Sequence, residues 1–243
     1  MSSDLTFYTH PMSRGRIVRW MLEEVDQPYE TMLLDYGTTM KGADYLAINP
    51  MGKVPAIRHG DTVVTEAAAI CAYLADAFPQ MKLAPASGSP DRGTYYRWLF
   101  FGAGPIEQAV LAFSMGWQVP EDRQATAGFG SMPVALNALE GALKGREFLV
   151  GDHFTAADLY IGSQLGWGMQ FGSIERRPVF EAYVTRHHGR AAALRAVEID
   201  DALLAGAEPA PAAEPVNLTR GDPRQRAEGA VISGSRSQTP DGQ

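Results

Sequence analysis

Apolar and polar positions alternate across Leu5-Thr6-Phe7-Tyr8, the two-residue period of a β-strand with one buried face. His10-Pro11 ends that run, because the residue before a proline disfavours helix. The period then changes. Ile17, Met21 and Val25 recur every four residues with Val18 and Leu22 beside them, giving one apolar helical face. Arg14, Arg16, Arg19, Glu23 and Glu24 fill the charged positions of this helix, and Ser13 stands where an N-cap is expected. Tyr29 to Leu34 reads as a second strand, so the segment predicts a βαβ unit with a parallel pair. Asn49-Pro50-Met51-Gly52 is a turn. Val54–Ile57 and Thr62–Val64, separated by Gly60-Asp61, predict a hairpin. Ile70, Leu74 and Phe78 then mark a helix from about Glu66 to Phe78, completing a ββα unit.

Pro79 to Pro90 holds three prolines and a Gly-Ser pair, the composition of a linker. Beyond it every periodic segment is helical. Tyr95 to Phe100 opens an aromatic helix, and Val134, Leu136, Leu139 and Leu143 form another stripe. Phe154-Thr155-Ala156-Ala157-Asp158-Leu159 carries an aspartate version of the capping box, with Thr155 as N-cap and Phe154 and Leu159 at the hydrophobic-staple positions. Residues 206–243 contain five Pro and five Gly and no Phe, Trp, Tyr or Met. Such a stretch buries too little apolar surface to offset its ordering entropy, so a disordered tail is expected. Its apolar patch Val231-Ile232 leaves a partner-binding segment as the alternative. The expected organisation is therefore 1–84, 91–205 and a tail over 206–243, with no internal repeat.

Composition narrows the function classes. The 243 residues are 45% hydrophobic and 20% charged, with a net charge of -7. An acidic chain, with a pI near 5.2, lacks the electrostatic footprint of a nucleic-acid binder. The tail's four arginines nearly balance its five acids, so the acidity belongs to the rest of the chain. One cysteine, Cys71, excludes an intrachain disulfide and a multi-cysteine zinc site, and suits a reducing compartment. Cys71 falls in an apolar stripe, so a buried, inert thiol is expected. No apolar run reaches the length of a membrane span, and the start lacks the basic-then-apolar pattern of a signal peptide. A cytoplasmic protein without membrane or nucleic-acid partners is the expectation. His187-His188 is read as a solvated surface pair and not a metal site, since adjacent helical residues point to different sides. No metal site is expected elsewhere. Gly102-Ala103-Gly104 precedes Pro105 within a helix and follows no strand, so it is no phosphate loop.

Four motifs now combine. Asn49-Pro50-Met51-Gly52-Lys53-Val54-Pro55-Ala56-Ile57 resembles the Val-Pro loop of glutathione transferases. Thr65-Glu66-Ala67-Ala68-Ala69-Ile70 resembles the start of their third helix. Phe7-Tyr8-Thr9-His10-Pro11-Met12-Ser13 is similar to the serine-type N-terminus, and Phe154 to Asp158 to the capping box of the core helix. The likeness runs from residue 4 to about 200, in the family's order. It implies an α/β plus all-α architecture, with an N-terminal thioredoxin-like βαβ-ββα domain followed by a C-terminal helical bundle domain.

The resemblance also implies chemistry. Glutathione would be the co-substrate, and its thiol must lose a proton to become the nucleophile. A hydroxyl donor at a helix N-terminus stabilises the sulfur anion, and by resemblance Ser13 is the candidate, with Tyr8 as rival. Val54, before a cis Pro55, would expose backbone to the cysteinyl part. Glu66 and Ala67 would receive the γ-glutamyl end at a helix N-terminus. In the family a serine stands at the position of Ala67, so one side-chain hydrogen bond is missing here, with Thr65 next door able to compensate. Lys41 and Lys53 are candidates for the glycine carboxylate. Met12, Ala109, Phe113 and Trp117, with Met115 and Trp167, are candidates for a pocket holding a small hydrophobic electrophile. The implied function is a glutathione transferase of detoxification type. Glutathione-dependent dehalogenation, isomerisation and peroxide reduction remain open within the family. A non-catalytic binding or scaffold protein is the alternative, and a thioredoxin-type redox protein is disfavoured because position 13 is Ser. A homodimer is expected by resemblance.

Overall fold

A computed structural model describes residues 4–206 of the chain, and the expected tail from 207 onward lies outside the described residues. Strand β1 (Leu5–Thr9), helix α1 (Gly15–Val25) and strand β2 (Glu30–Leu33) form the βαβ unit, with β1 and β2 parallel and Phe7 opposite Thr31. Strand β3 (Ala56–His59) runs antiparallel to β1, and β4 (Thr62–Thr65) completes the hairpin. Gly60 turns that hairpin at a φ of 56°, a left-handed conformation that favours glycine. The sheet order is β2-β1-β3-β4. A short α2 (Ala43–Leu46) lies between β2 and β3, and α3 (Ala67–Ala77) follows β4.

The strand alternation sorts side chains to two faces. Phe7 and Ile57 join Ile17, Val18 and Met21 of α1 and Ile70 and Leu74 of α3 in the main core. Their neighbours Tyr8 and Ala56 turn the other way, to a small cluster with Leu34, Met40 and Tyr45. This is the expected thioredoxin-like arrangement.

Among the described residues the remainder is helical: α4 (Pro90–Phe101), α5 (Glu107–Ser114), α6 (Met132–Leu143), α7 (Ala156–Gln170), α8 (Pro178–His188) and α9 (Ala191–Gly206). A π-helical turn, Gly102–Ile106, joins α4 to α5 and contains Pro105. Proline lacks an N–H and crowds the carbonyl four residues back, and a wider turn accommodates both. Gly102 permits close packing there, since a Cβ would stand 2.9 Å from the Tyr160 ring.

Helix α7 is the centre of this region and begins with the expected capping box. Asp158 Oδ2 accepts from the Thr155 N–H and the Thr155 hydroxyl, each at 2.9 Å. Its Oδ1 accepts from the Leu149 N–H and the Tyr183 hydroxyl, each at 2.7 Å. Phe154 and Leu159 are buried, as a hydrophobic staple requires. The Ala156 N–H donates to Leu83 in the proline-rich connection at 2.8 Å, and Leu83 itself is buried. In α6, Leu136, Leu139 and Leu143 face the core while Val134 lies outside it.

One region adds to the sequence reading and another corrects it. Four charged positions of α1, Arg16, Arg19, Glu23 and Glu24, pair with residues of α9 and its approach. Arg19 pairs with Asp200 at 3.1 Å, Arg16 with Asp201 at 2.6 Å, Glu24 with Arg190 at 2.6 Å and Glu23 with Arg195 at 3.2 Å. The His187-His188 pair is not the solvated surface pair that the sequence suggests. His187 is buried, packs on Tyr183 and Phe154, and meets the Glu147 carbonyl at 3.0 Å. His188 lies edge-on to Trp20 and meets the Gly162 carbonyl at 3.2 Å. Adjacent residues do point to different sides of α8, but both sides are covered by neighbouring elements. Burial lowers the pKa of both imidazoles.

Candidate active site

Serine 13 sits between the end of β1 and the start of α1, half-buried. Its hydroxyl donates to the His10 carbonyl at 2.6 Å and accepts the Gly15 N–H at 2.9 Å. The helix therefore begins two residues after Ser13, with Arg14 at the formal cap position and the Ser13 hydroxyl serving the first helical N–H. The turn is tight. A Cβ on Gly15 would lie 1.9 Å from Thr9 Oγ1 and 2.9 Å from Ser13 Oγ, so glycine keeps Ser13 close to the helix end.

A cavity of about 750 Å³ opens beside Ser13. Met12, Lys41, Lys53 and Val54 form part of its wall, and Phe113 and Trp167 face them from the helical region. The Val54-Pro55 peptide is cis. The loop before it is held by Asn49, whose side chain donates to the Lys53 carbonyl at 2.7 Å and accepts the Met51 N–H at 3.1 Å. The Tyr45 hydroxyl donates to the same Lys53 carbonyl at 2.6 Å. Burial pushes the Tyr45 phenol up to about 12, which keeps it a donor. Lys41 Nζ donates to the Gly52 carbonyl at 2.6 Å, tying the lysine to this loop.

A smaller neighbouring cavity of about 280 Å³ is lined by Lys53, Val54, Pro55, Glu66, Ala67 and Glu107, among others. Glu66 stands at a φ of 68° immediately before α3. A non-glycine residue in that region carries about 1–3 kcal/mol of strain. Glu66 thus brings a carboxylate side chain to the N-terminus of α3. Ala67 is the first residue of α3 and is buried.

Tyr8 is not among the residues lining either cavity. It is turned into the small cluster, its ring 5.7 Å from that of Tyr45. Ala109 is likewise absent from the cavity walls. It is 1% exposed in the core, because α5 directs that position inward while Val110 and Phe113 line the larger cavity. Trp117 is 62% exposed and lines neither cavity, since α5 ends at Ser114 and Gly116, at a φ of 66°, turns the chain away. Met115 leaves with it.

Sequence reasoning missed the polar bridge between the two cavities. Arg14 pairs with Glu107, whose other oxygen accepts from Gln164 at 2.9 Å. Gln164 also donates to the Tyr160 hydroxyl at 3.2 Å, and burial pushes that phenol up to about 12. Tyr36 was missed too. Its hydroxyl donates to the Met12 carbonyl at 3.1 Å and its ring packs on His10, bracing the segment that carries Ser13. No local pattern marks these residues, because each depends on a partner far away in sequence. Cys71 is fully buried, and burial raises its thiol pKa, leaving it out of this chemistry. Among the described residues no three or more of His, Cys, Asp and Glu cluster to hold a metal.

Comparison with known proteins follows the same division. The N-terminal-domain model of the glutathione S-transferases matches residues 12–77, and their C-terminal-domain model matches residues 104–190. A glutathione S-transferase of Escherichia coli O157:H7 is 33% identical over 127 residues, which span 52% of this chain and 62% of that relative. A crystal structure of a glutathione transferase from Methylococcus capsulatus is similar with a TM-score of 0.69 at 31% identity, covering 82% of this chain and 99% of that one. A sphingomonad glutathione S-transferase complexed with glutathione gives a TM-score of 0.66 at 29% identity, covering 81% and 98%.

Proposed function

The chain belongs to the glutathione S-transferase family, and we propose that it uses Ser13 to activate the thiol of glutathione for attack on small hydrophobic electrophiles. The observation that carries this reading is the Ser13 hydroxyl, fixed at the head of α1 and bordering the cavity that Val54 also lines.

A thiol with a pKa near 8.5 is only a few per cent ionised at neutral pH, so a donor that favours the anion raises the reactive fraction. In the free protein the Ser13 proton rests on the His10 carbonyl. Rotation of the hydroxyl towards the sulfur keeps the Gly15 N–H on the oxygen, so the hydroxyl remains polarised while it donates. The thiol proton leaves to solvent. The thiolate then bonds to the electrophilic carbon while the leaving group departs with its electron pair. Holding both reactants in one cleft supplies the proximity contribution.

The remaining roles follow from charge. The first turn of α3, at Ala67, suits the γ-glutamyl carboxylate. Glu66 and Glu107 offer acceptors for the ammonium beside it. Lys41 and Lys53 suit the glycine carboxylate, and Met12, Phe113 and Trp167 the electrophile. A homodimer in the cytoplasm belongs to the same proposal. Exposed Phe100 and Met51 offer apolar surface for a partner subunit, and no helix of the described residues is long and apolar enough to cross a membrane. Nothing in the fold or in the relatives named above supports the non-catalytic alternative.

The test is Ser13→Ala beside Tyr8→Phe, assayed with glutathione and 1-chloro-2,4-dinitrobenzene. Loss of the serine hydroxyl lowers kcat/KM on the order of 10²-fold, the scale of one anion-stabilising donor. It also moves the pH-rate profile to higher pH, while Tyr8→Phe leaves the profile in place. An unchanged profile for Ser13→Ala sinks the assignment.

A further inference from the structure

Behind Trp167 lies another cavity, of about 710 Å³, formed by α1, α7, α8 and α9. Its walls are mainly apolar: Ile17 and Trp20 from α1, Val184 from α8, and Leu194 and Val197 from α9. It shares Met12, Trp167 and Phe171 with the cavity beside Ser13. Trp167 and Phe171 are four residues apart at the end of α7, so they stand one above the other on the same side of the helix. Those two rings and the Met12 side chain are the partition between the chambers.

The partition is built into the sequence as Gly166-Trp167-Gly168. A Cβ at Gly166 would lie 2.7 Å from the His188 ring, and one at Gly168 would lie 2.4 Å from Ile174. The two glycines let α7 press against α8 and against the segment after α7, and the large ring between them is left to face the cleft. Met12 is 65% exposed and Phe171 74% exposed, so two large apolar side chains on the partition remain uncovered in the free protein. Each chamber falls within the size range of a small-molecule pocket.

We propose that the two chambers form one extended electrophile site, and that the preferred substrates are elongated. A compact reactive head lies beside Ser13, and an uncharged apolar tail passes Trp167 into the chamber against α9. The tail is uncharged because each ionised side chain on the far wall already has an opposite charge beside it: Arg16 is paired with Asp201 and Asp200 with Arg19. This rests on the transferase reading above and names its substrate class.

The experiment uses the full chain, glutathione, and a series of alkyl 4-chloro-3,5-dinitrobenzoates from methyl to octyl ester. The thiolate sulfur bonds to the ring carbon that bears chlorine, and chloride leaves with the bonding pair. In the unaltered protein kcat/KM rises about tenfold or more along the series, mainly through KM, as added methylenes are buried. Leu194→Trp and Val197→Trp fill the far chamber from two half-exposed positions that do not line the Ser13 cavity. Each variant flattens the rise with chain length while leaving the methyl ester within about twofold. A rise that persists in both variants overturns the inference, as does a flat series in the unaltered protein when the methyl ester is conjugated. Conjugation of no ester at all overturns the transferase reading and this inference with it.

Discussion

Arg19 and Asp200 are each 1% exposed and meet Nε to Oδ1 at 3.1 Å, joining the first helix of the sheet region to the last helix of the chain's described part. Arg19 also donates to the Tyr29 hydroxyl at 3.0 Å and to Thr31 at 2.8 Å, and it lies over the Phe7 ring. Burial raises the Asp200 pKa, and the Arg19 charge opposes that rise. The pair is thus a buried one in which each member depends on the other. Arg19→Met leaves an uncompensated carboxylate and costs about 3–5 kcal/mol in urea unfolding. Arg19→Met with Asp200→Leu recovers most of the loss, because apolar side chains of similar volume often replace a buried pair without penalty. A single variant within 1 kcal/mol of the parent contradicts this account, as does a double variant no better than the single.

Asp158 carries a comparable load within α7. Its two oxygens accept four hydrogen bonds, from Thr155 twice, Leu149 and Tyr183. Asp158→Ala strands the Leu149 and Thr155 N–H groups and the Tyr183 hydroxyl in a buried site. At about 1–3 kcal/mol for each orphaned donor, the loss is at least about 3 kcal/mol. Thr155→Ala removes the N-cap side chain but keeps the Asp158 carboxylate, and costs about 1 kcal/mol. Urea midpoints that rank the two variants in the reverse order refute the assignment.

The buried histidines make stability depend on pH. Burial lowers both imidazole pKa values below their ordinary value of 6.5. Above about 6.5 the folded and unfolded chains are both neutral at these sites, and the contribution is fully present. As pH falls through that value the unfolded chain binds protons that the folded chain refuses, and stability is lost. The loss continues until the pH reaches the lowered folded-state pKa. Its slope is up to about 1.4 kcal/mol per pH unit for each histidine. Unfolding free energies measured from pH 8 to pH 5 fall below 6.5 in the parent and flatten in His187→Gln/His188→Gln. An equal slope in both proteins rules the histidines out.

The contrast between these sites explains what the sequence alone discloses. The capping box and the Val54-Pro55 loop are legible because their partners lie within a few residues, so order along the chain carries the geometry. The strand period separates Phe7 from Tyr8 and sends them to different clusters, Tyr8 to the one that holds Tyr45. Arg19 and Glu24 carry no local mark of burial, and His187 reads as a surface residue, because their partners lie far away in sequence: Asp200 for Arg19, Arg190 for Glu24 and Phe154 for His187. Only the tertiary fold shows that α9 covers the charged side of α1. The pocket candidates divide for a similar reason. Phe113 and Trp167 line the cavity, but Ala109 and Trp117 do not, because helix phase and the end of α5 decide which way each faces.

Position 67 offers a gain rather than a loss. Ala67 opens α3 on the wall of the smaller cavity, directly after the strained Glu66, and brings no hydroxyl to a helix N-terminus suited to a carboxylate. Ala67→Ser adds one donor without changing the backbone. A hydrogen bond to a charged acceptor contributes about 1.5–3 kcal/mol, which corresponds to roughly tenfold to a hundredfold in affinity. The bond would be made in the ground state and the transition state alike, far from the sulfur. The expected result is therefore a lower Kd and KM for glutathione with kcat unchanged. Calorimetry on parent and variant measures the first, and steady-state kinetics the second. An unchanged Kd means that Thr65 or the α3 backbone already satisfies the carboxylate, and a changed kcat means that the γ-glutamyl end is not what this cavity holds.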